Sequence, residues 1–225
     1  MSSTLDSFYD EVDEIDGVPV RELVVDVGPG RKITIFHASD ADRQLEDALE
    51  DDSADPYSAV LWPASLAVAR ELPGLVSPDD YVFDLGAGTG LAALTAASLG
   101  ANVTAYDHDP FSLRLIEEAA RLQDLTVETI EFDLLSLEPL PPADLIILSD
   151  LFYDYDLADS LARRVVEQVR MGGRAIVGDP DRTATPAFLD YLAFCGVYGE
   201  YHTVSVDPPD ESGYSIGIGI HVFGE

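Results

Sequence analysis

Lysine and cysteine are nearly absent from this chain of 225 residues, in which Lys32 is the single lysine and Cys195 the single cysteine. One cysteine can form neither an internal disulfide nor a thiolate metal cage, so disulfide scaffolds and zinc fingers are excluded. No apolar run approaches the ~20 residues that a membrane-spanning helix needs. The 4 histidines lie without ligand spacing, so we predict no metal site.

Positive charge is scarce throughout the sequence, since 12 basic residues face 43 acidic ones and the formal net charge is −31. Such a surface repels phosphates, so nucleic acid is not an expected partner. The acids are spread along the chain, which favours adaptation to salt over docking on a basic partner. The start, MSSTLDSFYDEVDE, lacks the basic and apolar segments of a secretory signal, so we expect a cytoplasmic location and no membrane partner.

The composition predicts a folded protein, because 47% of the residues are hydrophobic and can form a core. Residues 1–56 differ from the rest and are expected to form an acidic extension. In it, VRELVVDV and RKITIF flank Gly28-Pro29-Gly30 and predict a β-hairpin. The following SDADRQLEDALEDDSADP is expected to be a short acidic helix or a solvated loop. Residues 57–225 are expected to form the main domain.

The main domain alternates between strand and helix patterns. PASLAVAREL, LAALTAASLG, PFSLRLIEEAARLQ, DLADSLARRVVEQVR and TPAFLDYLAFCG have helical character, and between them lie YVFDLG, NVTAYD, LTVETIEFD, ADLIILSD and GGRAIVGD as strands. YHTVSV and YSIGIGIHVF follow without a helix between them. The alternation predicts an α/β fold with a doubly wound parallel sheet, and the last pair predicts an antiparallel hairpin at one edge.

A glycine-rich loop, in VFDLGAGTG, follows the first strand of this domain and brings Gly86, Gly88 and Gly90 before a helix. Glycines let the backbone bend sharply and approach a ligand, and this turn is where nucleotide-like cofactors bind in doubly wound sheets. A dinucleotide fingerprint would need a sixth-position glycine, where this chain has Leu91. Asp84 would repel a pyrophosphate and suits a ligand that carries an ammonium or sulfonium. No P-loop pattern follows.

Two more acids follow the next strands. Asp107 ends the second strand, where a carboxylate can accept hydrogen bonds from both ribose hydroxyls. Asp133 is expected to end the third strand, where it can accept from an adenine amino group. The alternative is that these residues only form turns. Three strand-terminal acids in chain order favour the ligand site.

At this point the sequence resembles the seven-strand S-adenosylmethionine-dependent methyltransferases, over roughly residues 60 to 223. The resemblance implies a Rossmann-like sheet of order 3-2-1-4-5-7-6 with strand 7 antiparallel, preceded here by the short N-terminal β-hairpin extension. It implies S-adenosylmethionine as cofactor. The expected cofactor-binding residues are Trp62, Asp84, Gly86, Ala87, Gly88, Gly90, Asp107, His108, Asp133, Leu134 and Asp150.

The segment SDLFYD ends the fourth strand, which lies beside the first strand across the topological switch point. It is not the Asn-Pro-Pro-Tyr type that serves planar amides and exocyclic amines. An acid and an aromatic together suit an aliphatic amine. We therefore predict Asp150 and Tyr153 as catalytic residues that accept the proton or position the amine, which the sequence leaves open. Alternatively Asp150 caps the next helix, although Asp154 or Asp156 is expected to do so.

The resemblance is narrower when longer stretches are compared. DPYSAVLWPASLAVAREL, SDLFYDYDLADSL and VGDPDR resemble the family-16 protein-lysine methyltransferases, in particular the branch acting on the electron transfer flavoprotein β-subunit. By this resemblance Trp62 and Pro63 close over the cofactor, and the hairpin helps to form the target groove. Phe152, Tyr153 and Asp179 are the expected substrate-binding residues. The chain departs from these relatives at Ser58, where they often carry an aromatic residue, and at Ala64-Ser65, where they favour glycines.

The function that this resemblance implies is methylation of a lysine in a protein partner, such as the electron transfer flavoprotein β-subunit or a ribosomal protein. Two alternatives stay open at this point. One is N-methylation of a small amine, and the other is a catalytically silent protein that binds S-adenosylmethionine. For the oligomeric state a monomer is favoured.

Overall fold

The N-terminal part of the computed structural model, which describes residues 13–38, 58–207 and 215–224, is a small antiparallel sheet. It consists of β1 (Asp13–Ile15), β2 (Val18–Gly28) and β3 (Arg31–Ala38) in the order β1-β2-β3. The predicted hairpin between β2 and β3 is confirmed, and its turn contains Gly30 at a φ of 75°. The acidic segment 39–56, for which we expected a helix or a loop, lies outside the described residues.

The second part alternates strands and helices as predicted. Its helices are α1 (Pro63–Glu71), α2 (Leu91–Ser98), α3 (Pro110–Leu122), α4 (Tyr155–Arg170) and α5 (Thr185–Phe194), with a 3₁₀ turn at Leu72–Gly74. Its strands are β4 (Tyr81–Leu85), β5 (Asn102–Asp107), β6 (Val127–Glu131), β7 (Leu145–Ser149), β8 (Arg174–Asp179), β9 (Gly199–Val206) and β10 (Ile216–Phe223). None of these helices combines the length and the apolar character needed to cross a membrane, within the described ranges.

The seven strands form one sheet of order β6-β5-β4-β7-β8-β10-β9. β4 pairs in parallel with β5 and β7, and β10 pairs antiparallel with both β8 and β9. Numbered within the sheet, this is the predicted order 3-2-1-4-5-7-6 with strand 7 antiparallel. The predicted α/β doubly wound fold is therefore confirmed.

Two apolar cores cover the two faces of this sheet, as expected for a doubly wound fold. One contains the buried residues of α1, α2, α3 and the hairpin, and the other contains those of α4 and α5. The hairpin is tied to α3 by Gln123, whose Oε1 accepts from the Thr34 N–H at 2.8 Å and whose Nε2 donates to the Thr34 carbonyl at 2.8 Å. Arg31 also donates to the Ser98 carbonyl at the end of α2.

The two helices that follow the candidate site begin at aspartate caps. Asp109 accepts from the N–H groups of Phe111 and Ser112 at the start of α3. Asp154 accepts from the Leu157 N–H at 2.9 Å at the start of α4. Asp154, not Asp150, therefore caps this helix, which leaves the Asp150 carboxylate available for another role.

Candidate active site

The carboxyl ends of the parallel strands bring the predicted acids to one edge of the sheet. Asp84 is the penultimate residue of β4, Asp107 ends β5, Asp150 follows β7, and Asp179 ends β8. The chain crosses from one side of β4 to the other between β6 and β7, so the topological switch point lies between β4 and β7. Ligands of open α/β sheets bind in the crevice at this point.

The glycine loop after β4 is held against β5 by backbone hydrogen bonds. The N–H groups of Gly86 and Ala87 donate to the Tyr106 carbonyl at 2.8 and 3.1 Å. Gly86, Gly88 and Gly90 have φ values of 68°, 54° and 73°, which residues with a Cβ rarely adopt. A Cβ at Gly88 would also come within 3.1 Å of the Ser58 carbonyl oxygen. The segment before α1 therefore lies directly over the loop, which only glycine permits.

The carboxylate of Asp107 is buried and fixes this loop from β5. Its Oδ2 accepts from the Gly88 N–H at 2.8 Å and its Oδ1 accepts from the Asp109 N–H at 3.0 Å. His108 is exposed and its Nδ1 lies 3.4 Å from Oδ1 of Asp107. A carboxylate has about four lone-pair sites. Asp107 therefore keeps capacity for two further donors, as a ribose diol would supply.

Asp84 is the most perturbed acid of the site. It is 2% exposed, and its Oδ2 accepts from the Ala93 N–H in the first turn of α2 at 2.9 Å. Burial raises the pKa of Asp84 from 3.8 to about 7; the Ala93 hydrogen bond opposes the rise and the nearby Asp107 charge adds to it. A buried carboxyl of this kind is stabilised as a carboxylate when a cation binds beside it.

The loop after β6 holds the third predicted acid. Asp133 lies two residues beyond the end of β6 at Glu131, so it does not end the strand as we expected. Its side chain is exposed, and Oδ1 accepts from the Leu135 N–H at 2.8 Å. Leu134 is buried, and its carbonyl accepts from Ser160 Oγ on α4 at 2.5 Å. The loop is therefore anchored to α4 on one side while Asp133 stays accessible.

Asp150 follows β7 in a left-handed conformation, with a φ of 61°, and is 7% exposed. Such a backbone costs of order 1 kcal/mol in a non-glycine residue, and aspartate tolerates it better than most. Its Oδ1 accepts from Arg182 Nε at 2.6 Å, and this hydrogen bond is the main cause that raises the pKa of Arg182. The Arg182 guanidinium carbon lies 5.6 Å from the centroid of the Trp62 ring. Trp62, Asp150 and Arg182 thus form one cluster.

The two aromatic residues of SDLFYD point to different environments. Tyr153 is 60% exposed at the surface. Phe152 is 1% exposed, and its ring stacks on Phe188 of α5 with centroids 4.2 Å apart. We expected Phe152 to bind substrate, but its side chain lies in the core because it packs against α5. It supports the loop, and Tyr153 is the aromatic residue at the surface.

Asp179 lies one strand further along the same edge. It is 3% exposed, and its Oδ2 accepts from the N–H groups of Asp181 and Arg182 and from Thr185 Oγ1 at 2.6 Å. These bonds close the turn that carries Arg182 toward Asp150. Arg182 of VGDPDR was not predicted as a site residue, because no local pattern shows that a turn residue reaches the end of β7.

Part of the chain matches a known family, and solved structures share its fold. Residues 82–173 match the family described as methyltransferase domain. A TehB-like methyltransferase from Corynebacterium glutamicum has the same fold at a TM-score of 0.54 and 17% identity, over 81% of this chain and 95% of that one. The tRNA (uracil-54, C5)-methyltransferase of Pyrococcus abyssi, solved with S-adenosylhomocysteine, aligns at a TM-score of 0.60 and 11% identity, over 90% of this chain and 44% of that one. These solved structures show that the chain has the Rossmann-like fold of methyltransferases, as the resemblance implied.

Curated relatives are more specific. The electron transfer flavoprotein beta subunit lysine methyltransferase of Rattus norvegicus is 38% identical over 139 residues, which cover 57% of this chain and 52% of that protein. The ribosomal protein L11 methyltransferase of Thermus thermophilus is 32% identical over 130 residues, which cover 58% of this chain and 48% of that protein. The likeness to lysine methyltransferases is thereby confirmed. The chain spans about half the length of the curated relatives it matches.

Proposed function

We propose that this protein transfers a methyl group from S-adenosylmethionine to the side-chain amine of a lysine in a protein substrate. The observation that carries the proposal is the convergence of the glycine loop, Asp107 and the Asp150–Tyr153 segment at one sheet edge. The match of residues 82–173 to the methyltransferase domain and the lysine methyltransferases among the relatives support it. A small-amine acceptor has no observation of its own in its favour.

The residues present fit the cofactor. Gly88 has no side chain to fill the space beneath Ser58, and Asp107 has lone pairs left for a diol. Asp84, whose burial makes its negative charge costly, favours a ligand that carries an ammonium. We assign Gly86, Ala87, Gly88 and Gly90 to the backbone cradle. When bound, S-adenosylmethionine supplies an electrophilic methyl group on a sulfonium.

Asp133, Leu134, His108 and Trp62 complete the proposed cofactor site. Asp133 is accessible after β6, so its carboxylate can accept from an exocyclic amino group. The Leu134 side chain is buried beside it and offers apolar surface. We assign His108, which lies beside Asp107, to the rim of the site. We assign Trp62, whose ring lies against the Arg182 guanidinium, to its wall.

The acceptor end is formed by Asp150 and Tyr153. A lysine amine attacks only after it loses its proton, and the reacting atoms must be held in line. The Asp150 carboxylate is already paired with Arg182, so we assign it to attract and orient the amine. The exposed phenol of Tyr153 borders the entrance, where it can contact the lysine stem and pass the released proton to water.

The cofactor step is tested by isothermal titration with S-adenosylhomocysteine. Wild type should bind, and Asp107→Ala should lose at least tenfold in affinity because a ribose partner and the anchor of Gly88 are both removed. Glu167→Gln serves as the matched control, since Glu167 is exposed near the other end of α4. Wild-type protein that shows no heat of binding would reject the proposal at its first step.

The acceptor step is tested by comparing lysine methylation in a strain that lacks the gene with its parent. Mass spectrometry should show loss of methylated lysine on one or two proteins, with the electron transfer flavoprotein β-subunit and ribosomal proteins examined first. When the Asp150→Asn gene is returned to the strain that lacks the gene, lysine methylation should not be restored. The purified Asp150→Asn protein should still bind S-adenosylhomocysteine. Identical lysine spectra in the two strains would refute protein-lysine transfer, and label found only in small molecules would favour a small-amine substrate.

The remaining expectations stay predictions of this proposal. The acidic composition supports adaptation to salt, which activity and stability measured at increasing salt concentration would test. The single cysteine supports a cytoplasmic location. A monomer is expected, and light scattering measures it directly.

A further inference from the structure

A second cleft lies beside the candidate active site, between the start of α5 and the strands β9 and β10. It has a volume of about 410 Å³ and is lined by residues that include Asp179, Asp181, Tyr201, Thr203 and His221. Two glycines of β10, at positions 217 and 219, also line it. A Cβ at Gly217 would meet only Thr203 Cγ2, at 3.5 Å, among the described residues. The missing side chains leave the space open.

The carboxylate of Asp179, which lines this cleft, has an incomplete set of hydrogen bonds. Its Oδ2 accepts three hydrogen bonds from the following turn, whereas its Oδ1 is buried and has no hydrogen-bond partner in the described part of the chain. A buried acceptor without a donor costs free energy, more so when it is charged. A cation bound in the cleft would offset this cost through its electrostatic attraction to the carboxylate.

The charges that face the cleft all favour a cation. Asp179 and Asp181 contribute carboxylates, and Tyr201 and Thr203 contribute hydroxyls that are hydrogen-bonded to each other at 3.1 Å. Burial lowers the pKa of His221, against a smaller opposing effect of Asp179, so the ring is neutral at physiological pH. No lysine or arginine is among the described lining residues; the nearest cation, Arg182, pairs with Asp150 and also interacts with the charge of Asp179. An anion would be repelled here.

The cleft also has apolar surface for the stem of a long side chain. The rings of Tyr201 and His221 lie with centroids 4.6 Å apart, and Leu189 of α5 lines the cleft with them. Lysine and arginine bury their methylene stems along such surfaces while the head pairs with a carboxylate. The volume is in the range of side-chain and ligand sites.

We propose that this cleft binds a second basic side chain of the methylated protein, a lysine or arginine near the acceptor lysine in the substrate chain. The inference rests on the proposed function for its substrate. The turn 179–182 connects the two sites, because Asp179 accepts from the Arg182 N–H while the Arg182 side chain pairs with Asp150. A peptide that places its acceptor lysine at Asp150 therefore has a neighbouring cation site within reach.

Cation binding is measurable without catalysis. The ring signals of His221, identified by their absence in His221→Gln, should shift in a saturable way when N-acetyl-arginine methylamide or N-acetyl-lysine methylamide is added. N-acetyl-glutamate methylamide should not shift them. Asp179→Asn retains an oxygen for the turn but replaces the charge with a neutral amide. It should lower the affinity for the two basic probes at least tenfold.

A second variant places a cation of the protein itself in the cleft, where it competes with the probes. Thr203→Lys places an ammonium within the cleft and should abolish the shifts. Glu200→Lys is the matched control, because Glu200 is exposed on the same strand but alternates to the opposite face. If the basic probes leave His221 unchanged, or if Thr203→Lys and Glu200→Lys behave alike, the inference is overturned.

Methyl transfer separates this inference from the proposed function. Peptides with one acceptor lysine should show a KM at least tenfold lower with a nearby arginine than with alanine or glutamate, and Thr203→Lys should remove that preference without lowering kcat. Transfer that is indifferent to the second residue overturns the cleft inference alone. If cations bind in the cleft but no peptide or protein is methylated, the cleft inference stands and the proposed function is rejected.

Discussion

Replacing Asp84 by asparagine should change how the stability of this protein depends on pH. Asp84 is buried under the glycine loop, and its pKa in the folded state is raised from 3.8 to about 7 by burial. Between these two values the folded state holds a proton that the unfolded state has lost. Stability from this group is therefore fully present below pH 3.8 and is lost as the pH rises through about 7.

The magnitude follows from the difference between the folded and unfolded pKa. Each pH unit of difference corresponds to about 1.4 kcal/mol, so the full penalty above the folded pKa is about 4 kcal/mol. The pI of about 4.1 argues for working above pH 5 to avoid precipitation. From about pH 5 to pH 8 the penalty grows by about 2.5 kcal/mol, and asparagine cannot incur it because it carries no charge.

The assay is urea denaturation of wild type and Asp84→Asn at constant salt, followed by the fluorescence of Trp62, the single tryptophan. The free energy of unfolding of the variant minus that of wild type should rise from pH 5 to pH 8. Glu167→Gln, an exposed acid, should show a flat difference and controls for the general effect of the acidic surface. Parallel curves for Asp84→Asn and wild type would refute the reasoning, because they would mean that the carboxyl keeps an ordinary pKa in the fold.

Three further changes test other contacts of the structure. Arg182→Ala should lower kcat at least tenfold and the free energy of unfolding by about 1–3 kcal/mol, because it leaves a buried carboxylate at Asp150 without its cation. An affinity for S-adenosylhomocysteine equal to that of wild type, measured by calorimetry, would show that the cofactor site is intact. An unchanged kcat would contradict the assignment. Gly90→Ala should cost about 2–4 kcal/mol in urea denaturation, because φ is 73° and the new Cβ overlaps Ile116, whereas Gly172→Ala, at φ 92° with no atom within 4 Å, should cost about 1 kcal/mol. If the two substitutions lowered the free energy of unfolding equally, overlap with Ile116 could not be the cause of the loss at Gly90. Gln123→Leu should speed amide exchange at Thr34 and leave the central sheet protected, and unchanged exchange would show that the hairpin is held without this bridge.

Much of the fold is predictable from the sequence because its signals are local. Apolar runs of five or six residues followed by glycine or aspartate end at the same edge whenever strands run parallel. Asp84, Asp107 and Asp150 therefore share an edge without any knowledge of side-chain contacts. The strand order, by contrast, came from resemblance, since periodicity does not say which strands are neighbours.

The parts that failed depend on long-range packing. Phe152 and Tyr153 are adjacent aromatics in one motif, and only the position of Phe188 on α5 decides that the first enters the core. Arg182 lies 32 residues from Asp150, so their ion pair has no sequence signature. The end of β6 at Glu131 rather than Asp133 is a boundary shift, which local propensity determines poorly because strand ends depend on the neighbouring strand.

Because β10 lies between β8 and β9, both β9 and β10 are attached to the rest of the described sheet only through the pairing of β10 with β8, the β8–β10 seam. β9 has no other neighbour in the described sheet, so any opening that separates β10 from β8 also detaches β9. The amides that link β9 to β10 can open alone, but those that link β10 to β8 open only with the whole pair. Since Gly219 of β10 faces Asp179 across this seam, transient loosening of the pair would dissolve the second cleft while the glycine loop keeps its shape. Affinity for the proposed protein substrate and affinity for the proposed cofactor should therefore be separable by substitutions that touch neither ligand.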